Sequence, residues 1–163
     1  MMSLLSALHD HPVQQFAPGE LLIEQGDCTG RLYILIEGTV EVAKDGVTVT
    51  KANEPGAIFG DLAALLGVPH TAAVRSLTPC RFHVVTDARE YLESNPSVSL
   101  HLCKLLARRL DAVNHYLVDL KQQFAGHDHL GLVDGMLDML MLRQPRERVT
   151  PKRLTLRDPE SAD

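Results

Sequence analysis

The sequence predicts an α+β fold in which a glycine-punctuated β region lies between a short N-terminal helix and a helical C-terminal third. Residues 13–85 consist of short β-like runs separated at regular intervals by turns that contain Gly or Pro. Asp45-Gly46 lies between the alternating runs 40–42 and 47–49, and this predicts a two-residue hairpin because both turn residues adopt positive φ readily. Many short strands at this spacing are typical of a sandwich, a barrel or a jelly roll, and periodicity alone does not distinguish among the three.

One short helix and seven strands account for the first half of the chain. Leu4, Leu5 and Leu8 have helical spacing, which predicts a helix over residues 4–9. The β-like runs predict strands at residues 13–16, 21–24, 31–37, 39–43, 47–51, 71–76 and 81–85.

Helical signals return after residue 85. Asp87, with Glu90 three residues later, predicts a capping box at the start of a short helix. Asn95 followed by Pro96 predicts the start of a longer helix, because Asn is a good N-cap and Pro is favoured in the first turn. The apolar periodicity extends this helix over about residues 97–125.

Net charge, cysteine spacing and the absence of known motifs argue against several classes of function. The net charge of −5 at pH 7 argues against a broad basic surface for nucleic acid. Cys28, Cys80 and Cys103 form no C-x-x-C pair, so they predict neither a disulfide framework nor a zinc site. We find no signal-peptide pattern and no apolar run of about 20 residues, and we expect a cytoplasmic protein without membrane contact. The sequence also lacks a nucleophile elbow, a P-loop and an H-E-x-x-H motif, so we expect no enzymatic activity.

The long predicted helix carries a heptad seam, a set of apolar residues at alternating spacings of three and four. The residues of this heptad seam are Cys103, Leu106, Leu110, Val113, Leu117, Leu120 and Phe124. A second apolar face, made of Leu102, Leu105, Ala112 and Tyr116, is expected to rest on the β region. A helix with two apolar faces needs two partners, so the heptad seam predicts a homodimer with the same helix of a second chain. The alternative is that the seam packs only against residues 130–142 of its own chain.

The segments most informative about function are Phe59-Gly60-Asp61-Leu62-Ala63-Ala64-Leu65 and Pro69-His70-Thr71-Ala72-Ala73-Val74-Arg75. We call residues 59–63 and 70–72 the cassette. Gly60 is expected to open a short helix whose backbone N–H groups cradle an anion, and Asp61 in the first turn suits a sugar hydroxyl. Taken alone this pattern is weak, because a glycine before a short helix is more often only a turn.

The order of these motifs resembles the cyclic-nucleotide-binding domain, the sensor domain of catabolite-activator and Fnr-type regulators and of kinase regulatory subunits. The resemblance covers about residues 4–124 and also rests on segments 18–27 (PGELLIEQGD), 32–40 (LYILIEGTV) and 106–110 (LARRL). It implies a β-roll, which is a double-stranded β-helix or jelly roll, with a short N-terminal helix and a long C-terminal dimerisation helix.

The resemblance also divides the chain into parts. Residues 1–125 are expected to form the β-roll with its long helix, and residues 126–144 an additional helix that the periodicity places at 130–142. The charged, proline-containing segment 145–163 is expected to be a flexible tail. Although residues 143–157 are locally basic, the tail lacks the two apolar-striped helices of a helix-turn-helix. We therefore expect a stand-alone sensor module that acts on an effector protein and does not bind DNA directly.

The resemblance implies a site for cyclic AMP or cyclic GMP. Its implied members are Phe59, Gly60, Asp61, Leu62, Ala63, His70, Thr71, Ala72 and Asn114. Asp61 takes the family's ribose-binding Glu position, and His70 takes its phosphate-binding Arg position. On the long helix, the two base-contacting positions fall on Val113 and Asn114, of which Asn114 alone can bond to a purine edge.

The two substitutions at this site affect the expected affinity. An Arg–phosphate fork is a bidentate, charge-assisted pair that His70 does not reproduce, and its loss costs about ten- to a hundredfold in affinity. The Asp61 side chain is one methylene shorter than Glu. A protonated His70 partly substitutes for Arg, which predicts tighter binding below pH ~6.5. The alternative is a degenerate pocket that binds no cyclic nucleotide, in a chain that acts as a dimer scaffold for protein partners.

Three further features have ordinary structural explanations. Arg75 is either a surface charge on a strand, which we favour, or a substitute phosphate donor. His127-x-His129 and His9-Asp10-His11 are interpreted as solvated loop residues, because neither has the ligand spacing of a metal site.

Overall fold

The computed structural model describes residues 4–125, 135–137 and 140. The chain divides into two compact units, Met1–Leu106 and Ala107–Asp163. The first unit contains every strand of the described residues, together with three short helices and the beginning of the long one. No helix within the described ranges combines the length and the apolarity needed to cross a bilayer.

The strands form two four-stranded antiparallel sheets. The strands are β1 (Val13–Phe16), β2 (Leu21–Ile23), β3 (Leu32–Glu37), β4 (Val40–Lys44), β5 (Val47–Ala52), β6 (Ile58–Phe59), β7 (Ala73–Ser76) and β8 (Cys80–Val85). One sheet has the order β1-β8-β3-β6 and the other β2-β7-β4-β5. The helices are α1 (Leu4–Ala7), α2 (Asp61–Leu66), α3 (Ala88–Ser94) and α4 (Pro96–Gln123). This architecture confirms the predicted α+β class and the β-roll.

Strand β3 is buried on both faces and joins two parts of the core. Leu32 and Ile34 pack with α1, α3 and the start of α4 on one side of the sheet. Tyr33 and Leu35, which alternate with them, pack with residues of both sheets in the interior of the roll. The helical layer and the β-roll therefore share one strand, which is why β3 reads as a continuous apolar run rather than as an alternating pattern.

The predicted hairpin at Asp45-Gly46 is confirmed. Asp45 has φ +51° and Gly46 has φ +76°, as a tight turn between β4 and β5 requires. The side chain of Gln25 fastens this turn to the loop after β2, since it donates to Asp45 Oδ1 at 2.7 Å and accepts from the Asp45 backbone N–H at 2.8 Å.

Several predicted boundaries are wrong by one or two residues, and one strand was not predicted. β4 begins at Val40 rather than at residue 39, and β7 begins at Ala73 rather than at residue 71. The unpredicted strand is β6, which pairs with Tyr33 and Ile34 of β3. Two residues are too few to show a period of two, so no alternation marks β6 in the sequence.

The helix-start signals have different outcomes. The Glu90 backbone N–H donates to Asp87 Oδ1 at 3.1 Å, which confirms the predicted cap of α3. The side chain of Asn95 instead donates to the Tyr91 carbonyl at 2.8 Å and so closes the end of α3. The long helix α4 begins at Pro96 and ends at Gln123, two residues before the predicted end.

The second apolar face predicted on α4 is correct only near the start of the helix. Leu102 lies in the core of the first unit, and Leu105 packs against that core. Ala112 and Tyr116, farther along α4, are exposed rather than buried as predicted, Tyr116 to 64%. Within the heptad seam, Leu117 is buried and Leu106 and Leu120 are half-buried, whereas the other four residues are exposed.

Predictions for the C-terminal part fall largely outside the described residues. Residues 135–137 and 140, within the predicted third helix at 130–142, are helical. Segment 145–163 and His127-x-His129 lie outside the described residues.

Ser76 is a buried polar residue whose removal is expected to stabilise the fold. Its side chain is completely buried, and within the described part of the chain its Oγ has no hydrogen-bond partner. Because an unpaired buried hydroxyl is unfavourable, we expect Ser76→Ala to raise the free energy of unfolding by about 1 kcal/mol in urea denaturation. The matched control is Ser99→Ala, which removes a hydroxyl that donates to the Leu92 carbonyl and should lower the free energy of unfolding. Equal effects of the two changes would contradict this explanation.

Candidate ligand site

Gly60 is the residue through which the two segments of the cassette come together. It follows β6, caps the N-terminus of α2 and has φ +87°, a left-handed conformation that favours glycine. A Cβ added at Gly60 would lie 2.5 Å from the Arg31 carbonyl oxygen and 3.4 Å from His70 Cε1. Glycine at this position therefore lets the backbone of the cassette approach both the loop before β3 and the imidazole of His70.

The other predicted residues of the 59–63 segment differ in how far their side chains are exposed to solvent. Asp61 is 5% exposed and Ala63 is also buried, so both side chains face the interior. Leu62 is 46% exposed, so its side chain faces solvent. Phe59 is half-buried and packs edge-on against Phe82 with ring centroids 6.2 Å apart.

His70 is buried, with 4% of its surface exposed, and the loop after β2 holds it at three points. Its backbone N–H donates to the Asp27 carbonyl and its carbonyl accepts from the Gly26 N–H, both at 2.8 Å. The third point is the imidazole, whose Nε2 lies 2.8 Å from Thr29 Oγ1. Thr71, the next residue, is exposed, and Ala72 is half-buried.

Burial determines the charge state of this imidazole. Removal from water disfavours the protonated ring and lowers the pKa of His70 below 6.5, an effect that the nearby Asp27 carboxylate partly offsets. The environment of His70 therefore favours the neutral form of its imidazole.

The loop that contacts His70 was not predicted as part of the site. We call residues 25–31 the clasp loop, because it contacts Gly60 through the Arg31 carbonyl and His70 through Gly26, Asp27 and Thr29. Its first residues occur in the PGELLIEQGD segment, but no local pattern reveals a contact between residues 41 positions apart. Only the three-dimensional structure brings Thr29 to the site.

Two further residues considered for the site lie on other elements, Arg75 on β7 and Asn114 on α4. Arg75 is exposed on β7, and its Nη1 donates to the Gly19 carbonyl at 2.6 Å, which favours the surface interpretation. Asn114 lies on α4 in the second unit, where its Oδ1 is shielded from solvent and has no hydrogen-bond partner among the described residues. An amide oxygen of this kind can accept a hydrogen bond from a ligand N–H.

The described residues contain no group of three or more His, Cys, Asp or Glu side chains arranged to hold a metal ion. In the His9-Asp10-His11 segment, His9 Nε2 lies 2.8 Å from Asp10 Oδ1, and both side chains are exposed.

Comparisons with known proteins agree on one family. The profile described as the cyclic nucleotide-binding domain matches residues 13–89. The chain is 44% identical over 62 residues to a cAMP-dependent protein kinase regulatory subunit of Yarrowia lipolytica, covering 38% of this chain and 16% of that protein. It is 32% identical over 111 residues to a CRP-like cAMP-activated global transcriptional regulator of Mycobacterium tuberculosis, covering 64% of this chain and 50% of the regulator. The chain thus spans half or less of the length of these two relatives.

Among solved structures, the catabolite activator protein of Thermus thermophilus is similar to this chain with a TM-score of 0.57. The two are 22% identical, and the match covers 79% of this chain and 74% of that one. The likeness shows a shared fold.

Proposed function

Because residues 13–89 belong to the cyclic nucleotide-binding domain family, we propose that this chain is a non-enzymatic regulatory sensor module. In this proposal it binds cyclic AMP, cyclic GMP or a related phosphate ligand in the β-roll. The observation that carries the proposal is the close approach of Gly60 and His70, which unites the two segments of the cassette. Cys28, Cys80 and Cys103 are free thiols, which suits the reducing cytoplasm in which we place the protein.

Each part of the cassette has a proposed task. The backbone N–H groups around Gly60 to Ala63 donate to the cyclic phosphate, since N–H groups at the start of a helix point toward an anion placed there. Asp61 accepts from a ribose hydroxyl, and His70 donates to the phosphate. The resemblance assigns the base contact to Asn114, whose Oδ1 has no hydrogen-bond partner among the described residues.

Calorimetric titration with cyclic AMP and cyclic GMP at pH 6 and pH 8 tests this function. Saturable binding tighter than ~100 μM, a free energy near −5.5 kcal/mol, would support it. Arg75→Ala is the matched control, because this cation lies on the surface and bonds to Gly19, so its loss should leave the affinity unchanged. The absence of binding with both nucleotides at both pH values would overturn the cyclic nucleotide site and favour the scaffold function described below.

We expect the affinity to increase as the pH falls from 8 to 5.5. The pKa of His70 is lowered by burial, with the Asp27 carboxylate opposing, so the ring gains its proton only at acidic pH. A bound phosphate favours the charged ring, and binding should therefore take up a proton, measurable as a buffer-dependent enthalpy in calorimetry. A flat affinity between pH 8 and pH 5.5 would exclude a charged His70 from the contact with the phosphate.

In the free protein the same lowered pKa makes the fold less stable as the pH falls below 6.5, since the unfolded state binds the proton more tightly.

The heptad seam is proposed to join two chains and to carry the signal to an effector protein. We expect Leu110→Glu combined with Val113→Glu to weaken dimerisation by about 100-fold, because both exposed residues would become charges in an apolar seam. Val118→Glu is the control, since Val118 is similarly exposed on α4 but lies off the seam. Light scattering at micromolar concentration checks this expectation, and a monomeric unmodified protein would contradict it.

In a dimer, mild oxidation should also cross-link Cys103, an exposed seam residue, whereas Cys103→Ser should not cross-link.

A second candidate function is a dimer scaffold that binds protein partners and no nucleotide. The observation in its favour is that the His70 imidazole is buried, neutral at pH 7 and already bonded to Thr29. Silent calorimetry together with an intact dimer would favour this function.

A further inference from the structure

We propose that Thr29 is the positioning residue of the ligand site, whose hydroxyl orients the His70 imidazole and selects the ring nitrogen that carries the proton. This inference rests on the proposed function, since it concerns how His70 meets the phosphate. It explains how a neutral ring serves at the position where the family has arginine.

The Thr29 hydroxyl lies between the Arg31 backbone and the His70 imidazole. The Arg31 backbone N–H donates to Thr29 Oγ1 at 3.4 Å, and His70 Nε2 lies 2.8 Å from the same oxygen. The Arg31 N–H uses one of the two lone pairs of the hydroxyl, which keeps its hydrogen and a second lone pair. We assign the donor role to the hydroxyl, so that Nε2 is the acceptor. A neutral imidazole whose Nε2 accepts carries its proton on Nδ1.

The resulting tautomer leaves a donor for the ligand. Within the described part of the chain, Nδ1 of His70 makes no hydrogen bond, so its N–H is available. The neighbouring ring carbon, Cε1, is the His70 atom nearest to a Cβ placed on Gly60, at 3.4 Å. A phosphate held by the cassette can therefore accept a hydrogen bond from His70 without protonation of the ring.

The clasp loop holds Thr29 in place from several directions. At one end, Gln25 forms its two hydrogen bonds to Asp45 in the β4–β5 turn. At the other end, the Gly30 carbonyl accepts from the backbone N–H of Ala88, the first residue of α3, at 3.1 Å. Backbone bonds also fix His70 to the loop independently of Thr29, so removal of the hydroxyl alone should free the ring without detaching the segment.

The experiment measures the His70 tautomer by long-range 1H–15N correlation of the imidazole rings in the ligand-free full chain. The His70 signals are assigned by their absence in His70→Gln. We expect the Nδ1–H tautomer in the unmodified protein and in Thr29→Ser, and a mixture of tautomers in the isosteric Thr29→Val. Cyclic AMP affinity should fall about tenfold in Thr29→Val and stay within about twofold in Thr29→Ser. Thr48→Val, which removes a hydroxyl bonded to Glu41 on β4, is the matched control and should change neither quantity.

The outcomes separate this inference from the function on which it rests. An Nε2–H tautomer in the unmodified protein, or an unchanged tautomer in Thr29→Val, would overturn the assignment of Thr29 even if nucleotide binds. Another outcome is that the tautomer shifts in Thr29→Val while the unmodified protein binds no nucleotide. That result would overturn the proposed function and uphold Thr29 as the residue that positions His70. Thr29 is exposed, so Thr29→Val is expected to keep its fold, which circular dichroism checks.

Discussion

Replacing His70 with arginine is expected to tighten cyclic nucleotide binding by about ten- to a hundredfold. A guanidinium is charged at every relevant pH and can donate two parallel hydrogen bonds to a phosphate, whereas the buried ring of His70 is neutral at pH 7 and offers one donor. The Asp27 carboxylate, which already acts on the charge of residue 70, would help to stabilise the guanidinium. The pH dependence of binding between 5.5 and 8 should disappear with the imidazole.

A lysine at the same position separates charge from geometry. His70→Lys supplies a cation without the planar fork, so its gain in affinity should be smaller than that of His70→Arg. Calorimetry on the three proteins, with thermal denaturation to verify the fold, provides the comparison. If His70→Arg folds and binds no more tightly than the unmodified protein, the phosphate does not contact residue 70, and the task assigned to the cassette is wrong.

Turn chemistry and the resemblance account for most of the fold that could be predicted. Asp45-Gly46, Asp87 and the glycine before α2 are local signals that act within a few residues, and each lies where the sequence places it. β6 shows no such signal, because two residues carry no period. The error at Ala112 and Tyr116 has a different cause: a helical stripe indicates that a face is apolar, but not how far along the helix a partner extends.

For the ligand site, the sequence predicts the cassette but not its surroundings. The order of the motif points to Gly60, Asp61 and His70 as proposed members of the site. It does not point to Thr29, because the contact of Thr29 with His70 depends on how two loops from different strands meet. The burial that lowers the pKa of His70 is likewise a property of the folded environment, so the sequence alone does not show that His70 gains a proton less readily than an exposed histidine.

Replacing Gly60 with alanine is expected to lower the free energy of unfolding by at least about 2 kcal/mol and to abolish ligand binding. Two physical causes add. The backbone conformation at φ +87° is strained for any residue with a Cβ, at a cost of about 1 kcal/mol. The new Cβ would also lie 2.5 Å from the Arg31 carbonyl oxygen, a backbone atom of the clasp loop that cannot rotate away. Relief of this contact must separate the cassette from the clasp loop and from His70, and the site loses its shape as the fold loses stability.

Gly67→Ala shows the first cause alone, so its comparison with Gly60→Ala isolates the second cause. Gly67 ends α2 with φ +64°, also in the left-handed region, but a Cβ there meets nothing within 4 Å. Urea denaturation should therefore show a loss of about 1 kcal/mol for Gly67→Ala, with ligand affinity retained, against the larger loss for Gly60→Ala. The difference between the two variants measures the close approach of the cassette to the clasp loop. Equal losses of unfolding free energy would mean that the cassette and the clasp loop separate without loss of stability. The geometry on which the proposed phosphate site depends would then not be maintained in solution.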